Sequence, residues 1–102
     1  MGVKIGNYDF EGLYYAKSFL QDKSGVYAIL CEANDRYNVL DIGESAKVRT
    51  RVENHDREDC WETHCGGTIV YAVYYTPYKE QSGRMEIEQE LREHYNPPCG
   101  ER

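Results

Sequence analysis

Residues 25–55 read GVYAILCEANDRYNVLDIGESAKVRTRVENH, and this stretch decides the fold. Its first eight residues are β-branched, aromatic and almost wholly apolar, the pattern of a strand covered on both faces. Residues 33–38 form a polar loop, and NVLDIGE at 38–44 reads as a second strand, so an antiparallel hairpin is the simplest topology. Ser45 is placed to cap a helix over AKVRTRVENH, in which Val48 and Val52 define an apolar stripe. His55 falls inside that stripe, and Arg51 sits on its edge.

Downstream, residues 57–67, REDCWETHCGG, look irregular and end in a glycine pair, with Trp61 in this loop. TIVYAVYYT, at 68–76, is the strongest strand, with Ile69, Tyr71, Val73 and Tyr75 on one side. A last helix, RMEIEQELREHY at 84–95, is stopped by Asn96-Pro97-Pro98. Upstream, DFEGLYYAKSFLQ at 9–21 places Phe10, Leu13, Tyr14, Lys17 and Leu20 at helical spacing behind Asp9 as N-cap, although Gly12 weakens that helix. The expected fold class is therefore α+β. One domain over 1–102 would hold a small three-stranded antiparallel sheet flanked by helices, in the order α-β-β-α-β-α.

With 18 acidic residues against 12 basic and a net charge of −6, the chain is not built as a tight, sequence-blind nucleic-acid binder, which needs a positive footprint. The first fifteen residues lack the basic lead and apolar run of a secretory signal. No run of about 18 apolar residues suggests a membrane span. A cytoplasmic protein is expected, and with it four free thiols at Cys31, Cys60, Cys65 and Cys99. Cys60, His64 and Cys65, with Cys99 or His55, are a zinc alternative, but Cys-x₃-His-Cys is not a usual ligand spacing.

On the last helix, Met85, Ile87, Leu91 and Tyr95 spread over one apolar face, and Glu88 falls between Met85 and Tyr95. A carboxylate there needs a cation, a metal or a hydrogen-bond network to offset its burial. The plain reading is an ion pair with Arg84 or Arg92, each one turn away.

Gly25-Val26-Tyr27 followed by Asp41-Ile42-Gly43 resembles the paired tripeptides of the GIY-YIG nuclease family, on the two strands where that family keeps them. Arg51 stands eight residues after the second glycine, as the family's arginine does, and His55 one turn further on, as in many members. Glu88, Leu91 and Pro97 match the pattern that opens with the family's catalytic glutamate. The resemblance covers about residues 24–98.

It implies a metal-dependent endonuclease acting on DNA phosphodiesters, with Glu88 holding one Mg²⁺ or Mn²⁺. Tyr27 would lie beside the attacking water, Arg51 would hold the scissile phosphate, and His55 would orient the site or assist proton movement. Gly43, Arg49 and Trp61 are the expected substrate-binding positions. Three positions depart from the pattern: Asp41 stands where the family has tyrosine, Glu44 where relatives often have lysine, and Gly100 where many members have asparagine. The first two disfavour an anion. The alternative is a catalytically weakened module of the same type that binds nucleic acid or a protein partner without cutting. A homodimer or partner protein could supply the choice of target.

Overall fold

The computed structural model of the chain describes residues 2–100. Its elements are β1 (Gly2–Ile5), β2 (Tyr8–Tyr14), a 3₁₀ turn (Lys17–Phe19), β3 (Gly25–Ala33), β4 (Arg36–Ser45), α1 (Val48–Glu53), α2 (Glu58–Thr63), β5 (Thr68–Tyr75) and α3 (Gln81–Tyr95). All five strands form one antiparallel sheet in the order β1-β2-β5-β3-β4. This overturns the three-stranded α-β-β-α-β-α expectation. Strands do run through 25–33, 36–45 and 68–75, but an N-terminal hairpin adds two more beside β5.

The helix expected at 9–21 does not form. Asp9 and Glu11 are exposed on either side of buried Phe10, which is the period of a strand rather than of a helix. Gly6 turns the hairpin at φ 60°. Gly12, at φ 136°, lets β2 approach β5 so closely that a Cβ there would lie 2.8 Å from the Tyr71 carbonyl oxygen. Two glycines and the pairing with β5 thus decide what the helical spacing of the apolar side chains could not.

The core lies on both faces of the sheet. Tyr27, Ile29 and Cys31 of β3 pack with Tyr71 and Val73 of β5 beneath Val48, Val52 and Trp61 from α1 and α2. Val26, Ala28 and Leu30, with Val70 and Ala72, pack on the other side beneath Ile87 and Leu91 of α3. This alternation explains why the sequence of β3 is apolar throughout.

α1 starts at Val48, two residues later than its sequence suggests. Ser45 accepts the Lys47 amide ahead of the helix, while Asp22 receives the Thr50 amide at 2.9 Å and the Thr50 hydroxyl at 2.8 Å, so capping comes from a distant loop. Residues 58–63, expected to be irregular, are helical. The buried residues of α3 are Arg84, Ile87, Leu91 and Arg92, while Met85 is exposed, which turns Glu88 to the edge of the buried face. Asn96, at φ 49°, ends the helix in the left-handed conformation.

The four cysteines are not free. Cys31 is bonded to Cys65, with Cα atoms 5.4 Å apart, and Cys60 to Cys99, with Cα atoms 5.9 Å apart. The folding of the loop after α2 onto β3, and of the C-terminal segment onto α2, brings these partners together. Among the described residues, no helix is long and apolar enough to cross a membrane.

Candidate active site

Tyr27 sits on the central strand β3 with its phenol pointing toward α1 and α2, almost fully buried at 1% exposure. Gly43 is its cross-strand partner on β4. A Cβ at position 43 would land on the Tyr27 Cζ and Oη atoms, so Gly43 makes room for the phenol. Gly43, expected as a substrate-binding position, is thus what gives the Tyr27 phenol its space.

His55 lies just beyond α1, buried, with Nε2 2.7 Å from Tyr27 Oη. Its Nδ1 accepts the Arg57 backbone N–H at 3.1 Å, which leaves the ring proton on Nε2. Nε2–H therefore donates to the Tyr27 oxygen, and the phenol's own proton is directed elsewhere. Asp56 Oδ1 lies 3.4 Å from the same Nδ1, but a neutral ring already accepting there makes no ion pair with it. Burial, followed by the charges of Arg51 and Arg57, pushes His55 down to about 4, so it is neutral in ordinary conditions. Burial pushes Tyr27 up to about 12, against the opposing pull of Arg51.

Arg51, in the last turn of α1, is partly exposed and held by Asp56 at 3.3 Å. It is close enough to act on the titration of both Tyr27 and His55, and Glu88 also acts on Tyr27. The fold thus brings Tyr27, Arg51 and His55 together from β3, α1 and the turn after it, whereas Glu88 on α3 exerts only the weakest of the charge effects on the phenol. Arg49 is not part of it, because it points outward from α1 and pairs with Glu53 at 3.0 Å. Trp61 is also no substrate contact. It is fully buried, packs against His55 and donates Nε1–H to Asp41 at 2.8 Å.

Asp41 is fully buried at the centre of a network. Arg57 donates to it from Nε at 2.8 Å and from Nη2 at 3.3 Å, and Arg92 from Nη2 at 2.7 Å. A β-bulge places it there: Ile29 pairs with Asp41 and Leu30 with Val39, so Leu40 is extra and shares the α2-side face with Asp41. Glu44 is likewise occupied, accepting from Arg84 at 2.9 Å and Gln81 at 3.3 Å. The two carboxylates that oppose an anion in the sequence are thus matched by cations in the structure. Sequence reasoning missed Arg57 altogether and gave Arg92 only one of its partners. The available signal was that a buried Asp41 requires compensation.

Glu88 accepts from Arg92 Nε at 3.4 Å, a long bond, and Arg84 serves Glu44 instead. Burial raises the Glu88 pKa, while Arg92 draws it back down. Among the described residues, no other side chain donates to this carboxylate, and its side chain keeps 24% of its exposure. One oxygen is free to meet a hard cation whose remaining ligands are water and phosphate oxygens, so the donor fits Mg²⁺ or Mn²⁺. A separate set, Cys60, His64 and Cys99, has ligand atoms within 4.8 Å of one another, with the two sulfurs bonded to each other, while Cys65 is bonded to Cys31. A cavity of about 390 Å³ lies elsewhere, lined by Gly6, Asn7, Glu90, Leu91, Glu93 and His94. None of the expected catalytic or substrate-binding residues lines it.

Comparison with protein-family models, curated proteins and solved structures finds no significant match to this chain.

Proposed function

We propose that this face hydrolyses DNA phosphodiester bonds with one divalent cation, as the GIY-YIG resemblance implies. The observation that carries the reading is the 2.7 Å contact between Tyr27 Oη and His55 Nε2, with the Arg51 charge bearing on the same phenol. Glu88 would hold Mg²⁺ or Mn²⁺, which when bound supplies Lewis-acid polarisation of a phosphate oxygen and of water. His55 fixes the Tyr27 oxygen and, through Nε2–H, favours its phenolate. Tyr27 accepts a proton from the attacking water. The exposed Arg51 guanidinium binds the phosphate and offsets charge gathering on its oxygens. Access to DNA goes, on this reading, with a cytoplasmic location, where the two disulfides meet a reducing environment.

A Tyr27 pKa near 12 makes the phenolate scarce at neutral pH. The rate should therefore climb with pH from 6 to 9, with no falling limb, because His55 titrates near 4. Tyr27→Phe should flatten this rise. The primary test incubates supercoiled plasmid and branched DNA with Mg²⁺ or Mn²⁺. Glu88→Gln should abolish cleavage, and Arg51→Ala should slow it roughly a hundredfold. Cleavage that survives in Glu88→Gln would sink the assignment of that residue.

The pairing of Glu88 with Arg92 favours a second reading, in which the face binds a nucleic-acid structure or a protein partner without cutting. Retention of branched DNA by the intact protein, abolished by Arg51→Ala and accompanied by no cleavage, supports this second reading over the first. Neither binding nor cleavage would defeat both.

A further inference from the structure

We propose that Cys60, His64 and Cys99 form a zinc site when the Cys60–Cys99 disulfide is reduced. The inference is independent of the nuclease reading. Cys60 lies in α2 and His64 follows at its C-terminal end, four residues on, so both project from one side of the helix. Cys99 reaches them from the C-terminal segment, held by its amide donating to Leu40 O at 2.9 Å and by Arg92 donating to its carbonyl at 3.3 Å.

His64 Nδ1 is 3.5 Å from Cys60 Sγ and 3.9 Å from Cys99 Sγ. With Zn–S of about 2.3 Å and Zn–N of about 2.0–2.1 Å, tetrahedral geometry calls for S···N edges of about 3.6 Å and an S···S edge of about 3.8 Å. Both S···N edges are thus nearly in place, and reduction frees the sulfurs to separate along the third. Two thiolates and an imidazole are a donor set that suits zinc, and water takes the fourth position.

The reaction balances with a dithiol as reductant. Thiolate attack at the sulfur of Cys60, the less buried partner, breaks its bond to Cys99, and the reductant leaves as its own disulfide with two protein thiols formed. Zinc then displaces one proton from each thiol. His64 Nδ1–H donates to the Cys60 carbonyl at 3.0 Å in the oxidised form. To ligate, the ring of this exposed residue moves that proton to Nε2 through water, with no net release. The oxidised pair has no lone thiolate to offer, so the site is closed by oxidation and opened by reduction.

Cobalt titration of the full chain tests this, because tetrahedral Co²⁺ bound to thiolate gives strong visible and near-ultraviolet bands. Reduced protein should take up one equivalent of Co²⁺, displaced by zinc, and oxidised protein none. His64→Ala should weaken uptake at least tenfold, Cys60→Ser/Cys99→Ser should abolish it, and Cys31→Ala/Cys65→Ala should keep it. Zinc should raise the melting midpoint of the reduced protein and leave that of the oxidised protein unchanged. The proposal is overturned by absent uptake, by uptake indifferent to His64→Ala or Cys60→Ser/Cys99→Ser, or by a reduced chain that is unfolded and stays so when zinc is added.

Discussion

The imidazole of His55 is enclosed by Tyr27 and Trp61, with ring centroids 5.7 and 4.7 Å away, in a setting that penalises its charged form. Its pKa falls from 6.5 to about 4 on folding. The unfolded chain therefore binds a proton between those values that the folded chain does not. The stabilisation is complete above about pH 6.5 and is lost as pH falls toward 4, by roughly 3 kcal/mol at most. Glu88 works in the opposite direction, since burial favours its protonated form. Urea denaturation from pH 7 to 4 should show a loss of stability that is shallower in His55→Gln, and equal slopes for the two proteins would refute the His55 assignment. Gly43 provides a second residue-scale prediction. Gly43→Ala should destabilise the protein by about 1–3 kcal/mol through overpacking against Tyr27. Gly66→Ala, where a Cβ meets nothing within 4 Å, should stay within about 0.5 kcal/mol.

Among the elements, β4, α2 and α3 are joined by one buried charge. Asp41 comes from the bulged edge strand, Arg57 and Trp61 from α2 and its start, and Arg92 from α3. The bulge serves two contacts, for it turns Asp41 toward α2 and leaves the Leu40 carbonyl free for the Cys99 amide. Asp41→Asn leaves two arginines short of a counter-charge and should cost roughly 3–5 kcal/mol. Asp41→Leu/Arg92→Met should recover part of that loss, because it removes both a carboxylate and one of its cations. A double mutant no more stable than Asp41→Asn would show that the ion pair is not what the three elements share. The sequence of 38–44 reads readily as a strand, but not the bulge. Alternation alone does not say which residue of Val39-Leu40-Asp41 is extra, since that depends on what α2 presents to the strand.

At the scale of the whole molecule, the Cys31–Cys65 disulfide ties the far end of β3 to the loop after α2 across 34 residues of chain. Chain entropy assigns about 4 kcal/mol to closing a loop of that length. Cys31→Ala/Cys65→Ala, compared with the oxidised parent by guanidinium denaturation, should lower stability by about 2–4 kcal/mol. No loss at all would mean that the sulfurs are not bonded in solution. The described chain has a radius of gyration of 12.3 Å, near the roughly 13 Å of a compact 100-residue domain, so both bonds fasten a body that packing already defines.

Sequence alone determined the three central strands, because their apolar and alternating patterns are local properties of each segment. Motif spacing also pointed to Tyr27 and His55 together, and the structure joins these two at 2.7 Å. Tertiary structure decided the rest. At 8–14 the same side chains satisfy both helical and strand spacing, and pairing with β5 chooses between them. Likewise, Asp41 is benign or hostile to an anion according to Arg57 and Arg92, which lie 16 and 51 residues away in the chain. The cysteines, too, pair across 34 and 39 residues. In each case the deciding partner is distant in sequence, and a local pattern carries no record of it.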